Sequence, residues 1–199
     1  MIDLNRAKLD EAFSILANRL SAIGASHVGL VVCGGASLLA VGLVSRTTRD
    51  VDILALMEPG QGLTDPDPLP PHLLNAAAQV ESMLGLPPEW LNNRPSRGEG
   101  GLFRMGLPSG LADRLHERRF SDTLTIWFID RIDQIHLKLY AGVDRGGYHI
   151  TDLVALQPSE NELEQAARWA MTHDVSQGFR DVLGRLLQEL GYGRVVERL

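Results

Sequence analysis

Three short runs rich in apolar and β-branched residues, Val28 to Cys33, Thr47 to Leu56 and Thr123 to Ile129, are separated by stretches with a helical period. That alternation predicts an α/β (α+β) architecture: a small mixed β-sheet flanked by helices, followed by a helical C-terminal half. VGLVVC is continuously apolar and stops at Gly34-Gly35, as a buried strand entering a tight turn does. In the second run Val51 and Ile53 alternate with Asp50 and Asp52, placing the core on one side and the acids on the other. TLTIWFI reads as a third strand, ended by Asp130.

Around these strands the apolar spacing predicts helices over Asn5–Ile23, Ala36–Val44, His72–Leu84 and Leu111–Arg119. After Asp130 it predicts Ile132–Val143, His149–Gln157, Glu160–Thr172 behind a Ser159 N-cap, and Gln177–Leu190 between Ser176 and Gly191. Residues 58–71 read as a long loop, and 85–101 as irregular chain with one helical turn near Glu89-Trp90-Leu91. The expected organisation is an α/β core over 1–130 with a helical region over 131–199 packed on it.

At 199 residues, 44% hydrophobic and 22% charged, the chain has the balance of a folded globular protein, which excludes disorder. Its net charge of -6 argues against a broad electrostatic grip on nucleic acid, leaving Arg114, Arg118 and Arg119 as a local patch or a solvated helix face. Cys33 is the single cysteine and reads as a small buried hydrophobe, which suits a reducing cytoplasm. No stretch approaches the length needed to span a bilayer, and the start of the chain lacks the pattern of an export signal. A cytoplasmic protein with no membrane partner is expected.

The chemistry concentrates between Cys33 and Asp52. Asp50 and Asp52, two apart on a strand, present both carboxylates to one face. Like charges so placed repel unless a divalent cation sits between them, and hard oxygen ligands suit Mg²⁺, or Mn²⁺ in its place. The plain alternative is an acidic face of an edge strand. Just before the pair, Gly34-Gly35-Ala36-Ser37 lies between a buried strand and a helix. Glycine lets backbone N–H groups approach an anion, the helix start adds donors, and the Ser37 hydroxyl could join them. A phosphate cradle beside a metal-binding acid pair suits the triphosphate of a nucleotide, with Arg46 and Arg49 near enough in sequence to contact phosphate.

The stretch GGASLLAVGLVSRTTRDVDIL resembles the glycine turn and Asp-x-Asp strand of the nucleotidyltransferase superfamily, especially minimal bacterial proteins related to toxin–antitoxin and abortive-infection nucleotidyltransferases. A second stretch, IHLKLYAGVDRGGYHITDLVAL, is similar to their later lysine and aspartate motifs. The resemblance implies a nucleotidyltransferase-like core over 1–130 and makes Lys138 a contact to nucleotide phosphates or base, with Asp152 as its helper. Read on their own, these are an exposed lysine and an exposed His149–Asp152 pair. Members of the superfamily also carry a third carboxylate on a later strand that helps activate the acceptor hydroxyl. Asp130 holds that position by sequence, although it could equally cap the next helix.

The sequence thus leads to a Mg²⁺-dependent enzyme that binds a nucleoside triphosphate and transfers a nucleotidyl group to a hydroxyl of an RNA end, a protein or a small molecule. The resemblance adds a cognate toxin or antitoxin, or a phage-defence setting. In this reading Gly34, Gly35, Ser37, Arg49 and Lys138 bind nucleotide, and Asp50 and Asp52 hold metal. The competing reading is a catalytically inactive nucleotide-binding or partner-binding regulatory protein of the same fold. A dinucleotide-binding unit is disfavoured because the GxGxxG spacing is absent.

Overall fold

The computed structural model describes residues 3–199, and by its internal contacts the chain divides into two units, one ending at Asp130 and the other Arg131–Leu199. The first unit is α+β. Helix α1 (Arg6–Ala22) starts at Asn5, whose side-chain oxygen accepts the Lys8 N–H. Its Leu9, Ala12, Phe13, Leu16 and Leu20 recur at helical spacing and are buried.

Strand β1 (Val28–Cys33) is buried at all six positions, as a central strand with both faces covered must be. It pairs antiparallel with β2 (Val51–Glu58) and parallel with β6 (Leu124–Phe128). Strand β3 (Gly62–Thr64) returns antiparallel along the far end of β2, and the two-residue β4 (Leu91–Asn92) runs parallel beside its beginning. Strand β5 (His116–Arg119) closes the other edge against β6, giving the order β3-β2-β1-β6-β5 with β4 also on β2. On one side lie α1 and α3 (Pro71–Leu84), with Phe13 central to a cluster that holds Trp90, Phe120 and Phe128. The Trp90 indole N–H donates to the Ala77 carbonyl at 2.9 Å, tying β4 to α3.

Several boundaries differ from the sequence reading, each for a non-local reason. The second strand begins at Val51, not Thr47, because Thr48 instead exchanges two backbone hydrogen bonds with Leu4. Asp50 therefore precedes the strand and only Asp52 lies within it. Helix α2 spans Gly34–Ala40 instead of Ala36–Val44, so both glycines are helical residues. The loop after β2 contains the β3 hairpin, and the chain near Trp90 forms β4 and a 3₁₀ turn, Arg94–Ser96. The expected helix over 111–119 is a 3₁₀ turn, Leu111–Arg114, followed by β5. Here the ladder to β6 outweighs the helical look of HERR, and charged side chains are what an exposed edge strand carries. Arg118 pairs with Asp10 at 2.6 Å and Arg119 with Asp122 at 2.5 Å, so these arginines are not a helix face. A short helix α4, Leu102–Met105, completes the unit.

The second unit is helical: α5 (Arg131–Arg145), α6 (Tyr148–Ala155), α7 (Glu160–His173), α8 (Gln177–Glu189) and the unforeseen α9 (Gly193–Val196). Ser159 and Glu162 form a capping box at the start of α7, and Ser176 caps α8 through the Phe179 N–H. Tyr140, Trp169, His173 and Phe179 pack their rings together where α5, α7 and α8 meet. Among the described residues no helix is long and apolar enough to cross a membrane.

Candidate functional site

The carboxyl end of β1 and the beginning of β2 bring the glycine turn and the acid pair together. Cys33 lies opposite Asp52 in the β1–β2 ladder, so the next residue, Gly34, falls beside the Asp52 side chain. Gly34 has φ +67°, and a Cβ on it would come within 2.9 Å of Asp52 Oδ2. Only glycine meets both demands without strain. Gly35 answers a different neighbour: a Cβ there would meet Thr48 Oγ1 at 2.7 Å and lie 3.5 Å from the Arg46 guanidinium. The sheet thus seats one acidic side chain directly over the first glycine and one arginine near the second.

Ser37 does not complete a phosphate cradle as the sequence suggested. It is fully buried, and its hydroxyl donates to the Ile129 carbonyl at 3.3 Å, which ties α2 to the end of β6. An alternation of side chains does not apply on this short helix, and the third residue after Gly34 turns inward.

Both members of the acid pair are half-buried. Arg94, at the start of the 3₁₀ turn after β4, places Nη1 3.4 Å from Asp50 Oδ2 and Nη2 2.8 Å from Glu89 Oε2. The hydrogen bond to Glu89 raises the Arg94 pKa against the cost of its burial, with further support from the charges of Glu89, Asp50 and Asp52. Glu89 is correspondingly lowered, first by its hydrogen bond from Arg94. β4 positions this arginine: Asn92 stands opposite Asp52 in the ladder, and its side-chain oxygen accepts the Arg94 backbone N–H at 2.9 Å. Sequence reading passed over Arg94 and Glu89, since nothing local marks an arginine 44 residues after an aspartate as its partner.

Among the described residues no group of three or more His, Cys, Asp or Glu side chains is arranged to hold a metal ion. The donors present are nonetheless those of Mg²⁺, which takes one or two carboxylates and completes its shell with water and phosphate oxygens. The charges of Asp50 and Asp52 both act on the Arg94 guanidinium, so the place already draws a cation, and Gly34 packs closely on the Asp52 carboxylate. Of the residues here, the carboxylates of Asp50 and Asp52 have the donor chemistry that such an ion takes.

Asp130 follows β6, two strands across from Asp52, and accepts a hydrogen bond from His116 Nε2 at 2.9 Å. His116, which no local pattern marks out, enters through the β5–β6 pairing of His116 with Phe128. Arg49 is an exposed residue with Asp3 3.8 Å away. A cavity of about 320 Å³ opens between α3 and β4, lined among others by Leu74, Glu81, Trp90 and Asn93, and includes neither acid of the pair.

In the second unit Lys138 on α5 and Asp152 on α6 form an ion pair of 2.7 Å, with their side chains 4% and 2% exposed. Neither is the exposed residue that a bare reading of the sequence allowed. The Lys138 ammonium also lies 5.5 Å from the centre of the Tyr148 ring. Pairing the two offsets part of the cost of burying each ionic side chain.

Comparison of the chain with protein-family models, with curated proteins and with solved structures finds no match, so only the residues and their geometry speak for the chemistry of this site.

Proposed function

We propose that the chain is a Mg²⁺-dependent nucleotidyltransferase acting on a nucleoside triphosphate and a hydroxyl acceptor. The observation that carries this reading is the seat of Asp52 over Gly34, which sets a carboxylate against the glycine turn at one end of the sheet. When bound, Mg²⁺ neutralises phosphate charge and stabilises the leaving oxygen. Asp50 and Asp52 would hold it, and the Gly34-Gly35 backbone N–H groups would face the phosphates. Arg46 supplies positive charge near that turn. The acceptor oxygen forms a bond to the α-phosphorus as the bond to the β-phosphate oxygen breaks, releasing pyrophosphate. Asp130, steadied by His116, is the residue proposed to receive the acceptor's proton.

RNA and protein hydroxyls are the acceptors to test first, within a cytoplasmic toxin–antitoxin or phage-defence setting.

The test is thermal stability with each nucleoside triphosphate, with and without Mg²⁺, in wild type and in Asp50→Asn and Asp52→Asn. Ligand at about a hundred times its Kd stabilises by roughly 2.7 kcal/mol. The wild type should show that stabilisation only with Mg²⁺, and both variants should lose it. Equal stabilisation in all three sinks the metal site and the transferase reading with it. One observation favours a second reading, an inactive nucleotide-binding protein: Arg94 already lies against Asp50. Metal-dependent binding without pyrophosphate release, across the acceptor classes, would select it.

A further inference from the structure

We propose that Arg94 is the resident counter-cation of the acid pair, which a divalent ion must displace from Asp50; this rests on the metal site proposed above. The guanidinium bridges two carboxylates with different claims on it. Its Nη2 donates to Glu89 at 2.8 Å, a charge-assisted hydrogen bond of ordinary length, whereas Nη1 reaches Asp50 only at 3.4 Å. The bond to Glu89 is the anchor and the contact with Asp50 is the loose end. Half the Arg94 side chain is exposed, and a swing away from Asp50 can keep the bond to Glu89.

The backbone around Arg94 is built to keep it there. Glu89 adopts φ +55°, a conformation uncommon for a residue with a side chain. The buried Trp90 fixes the next position, and Asn92 links the two ends, donating to the Glu89 carbonyl at 3.4 Å and accepting from the Arg94 N–H. Six residues thus close a loop whose one outward cation lies against the acid pair. A Mg²⁺ ion on Asp50 and Asp52 repels that guanidinium. Glu89 then retains it at the rim, so metal uptake exchanges one cation for another and leaves the loop in place.

The exchange has a signed consequence. Removing the competitor should tighten metal binding, and removing its anchor should weaken it, because Arg94 released from Glu89 can close fully on Asp50. Calorimetric titration of the whole protein with Mn²⁺ alone, without nucleotide, reads this directly. Arg94→Gln, which keeps a long polar stem, should bind two- to five-fold more tightly than wild type, equivalent to about 0.4–1 kcal/mol for an exposed ion pair. Glu89→Gln should bind more weakly than wild type. Asp52→Asn serves as the site control and should lose the binding. If wild type binds Mn²⁺ through Asp52 while Arg94→Gln binds equally or less well, the counter-cation role is overturned and the metal site stands. If neither wild type nor Arg94→Gln takes up the ion, or Asp52→Asn leaves uptake unchanged, the metal site itself falls and this role with it.

Discussion

Replacing Gly34 by alanine probes the contact on which the site depends, and Gly24 provides its internal control. Both glycines have left-handed backbones, φ +67° and +62°, but a Cβ on Gly24 meets nothing within 4 Å, whereas one on Gly34 meets Asp52 Oδ2 at 2.9 Å. Gly24→Ala should therefore cost only the left-handed strain of about 1–2 kcal/mol. Gly34→Ala incurs the same strain and must also push the Asp52 carboxylate aside, adding about 0.5–1.5 kcal/mol for a side chain driven off its rotamer. Its total loss should be roughly 1.5–3.5 kcal/mol. Urea unfolding of the two variants beside wild type measures the difference, and a metal titration measures whether the displaced carboxylate still binds. Gly24→Ala should leave Mg²⁺ affinity unchanged while Gly34→Ala lowers it. Equal destabilisation, together with equal metal affinity, would refute the seating of Asp52 over Gly34.

Three further substitutions test the neighbouring assignments. Lys138→Met takes the Lys138 ammonium from the buried Asp152 carboxylate and should cost about 3–5 kcal/mol, while Lys138→Met with Asp152→Leu should recover most of that in the same unfolding assay. Ser37→Ala removes a buried hydrogen bond to the Ile129 carbonyl and should cost about 1 kcal/mol with no change in nucleotide affinity; a large affinity loss by titration would return Ser37 to the phosphate site. Glu162 is drawn down from 4.5 to about 2, first by its hydrogen bond from Arg131, with Ser159 assisting and burial opposing. Because the folded pKa is the lower one, its stabilisation is complete above 4.5 and drains away as pH falls toward 2. Allowing for solvent screening, Glu162→Gln should cost about 1–2 kcal/mol at neutral pH and little near the bottom of that window, read from urea midpoints along a pH series.

The parts of the fold legible in the sequence are those whose signal is local. VGLVVC and LTIWF are apolar because β1 and β6 are inner strands, and Ser159 and Ser176 announce α7 and α8 through the N–H groups they cap. β5 and β4 were illegible for the opposite reason. HERR carries no apolar alternation, since an edge strand with Arg118 on Asp10 and Arg119 on Asp122 needs none. β4 is two residues long and exists only because Leu91 and Asn92 find Val51 and Asp52 about 40 residues earlier.

The same division runs through the site. That Gly34 and Asp52 belong together follows from a turn, a helix and a returning strand in immediate succession, which a reader of the sequence can reconstruct. What the order of residues cannot convey is which groups fill the remaining coordination of the acids. Ser37 looks like a ligand until Ile129, 92 residues on, takes its hydroxyl. Asp130 looks like a third carboxylate or a helix cap, and in the sheet it acquires His116 by cross-strand pairing. Arg94 looks like any surface arginine, yet the short β4 strand delivers it to Asp50. A residue's type and its neighbours in sequence limit the chemistry it can do; its charge partners depend on strand pairing, and in this site strand pairing brings the Arg94 guanidinium to Asp50.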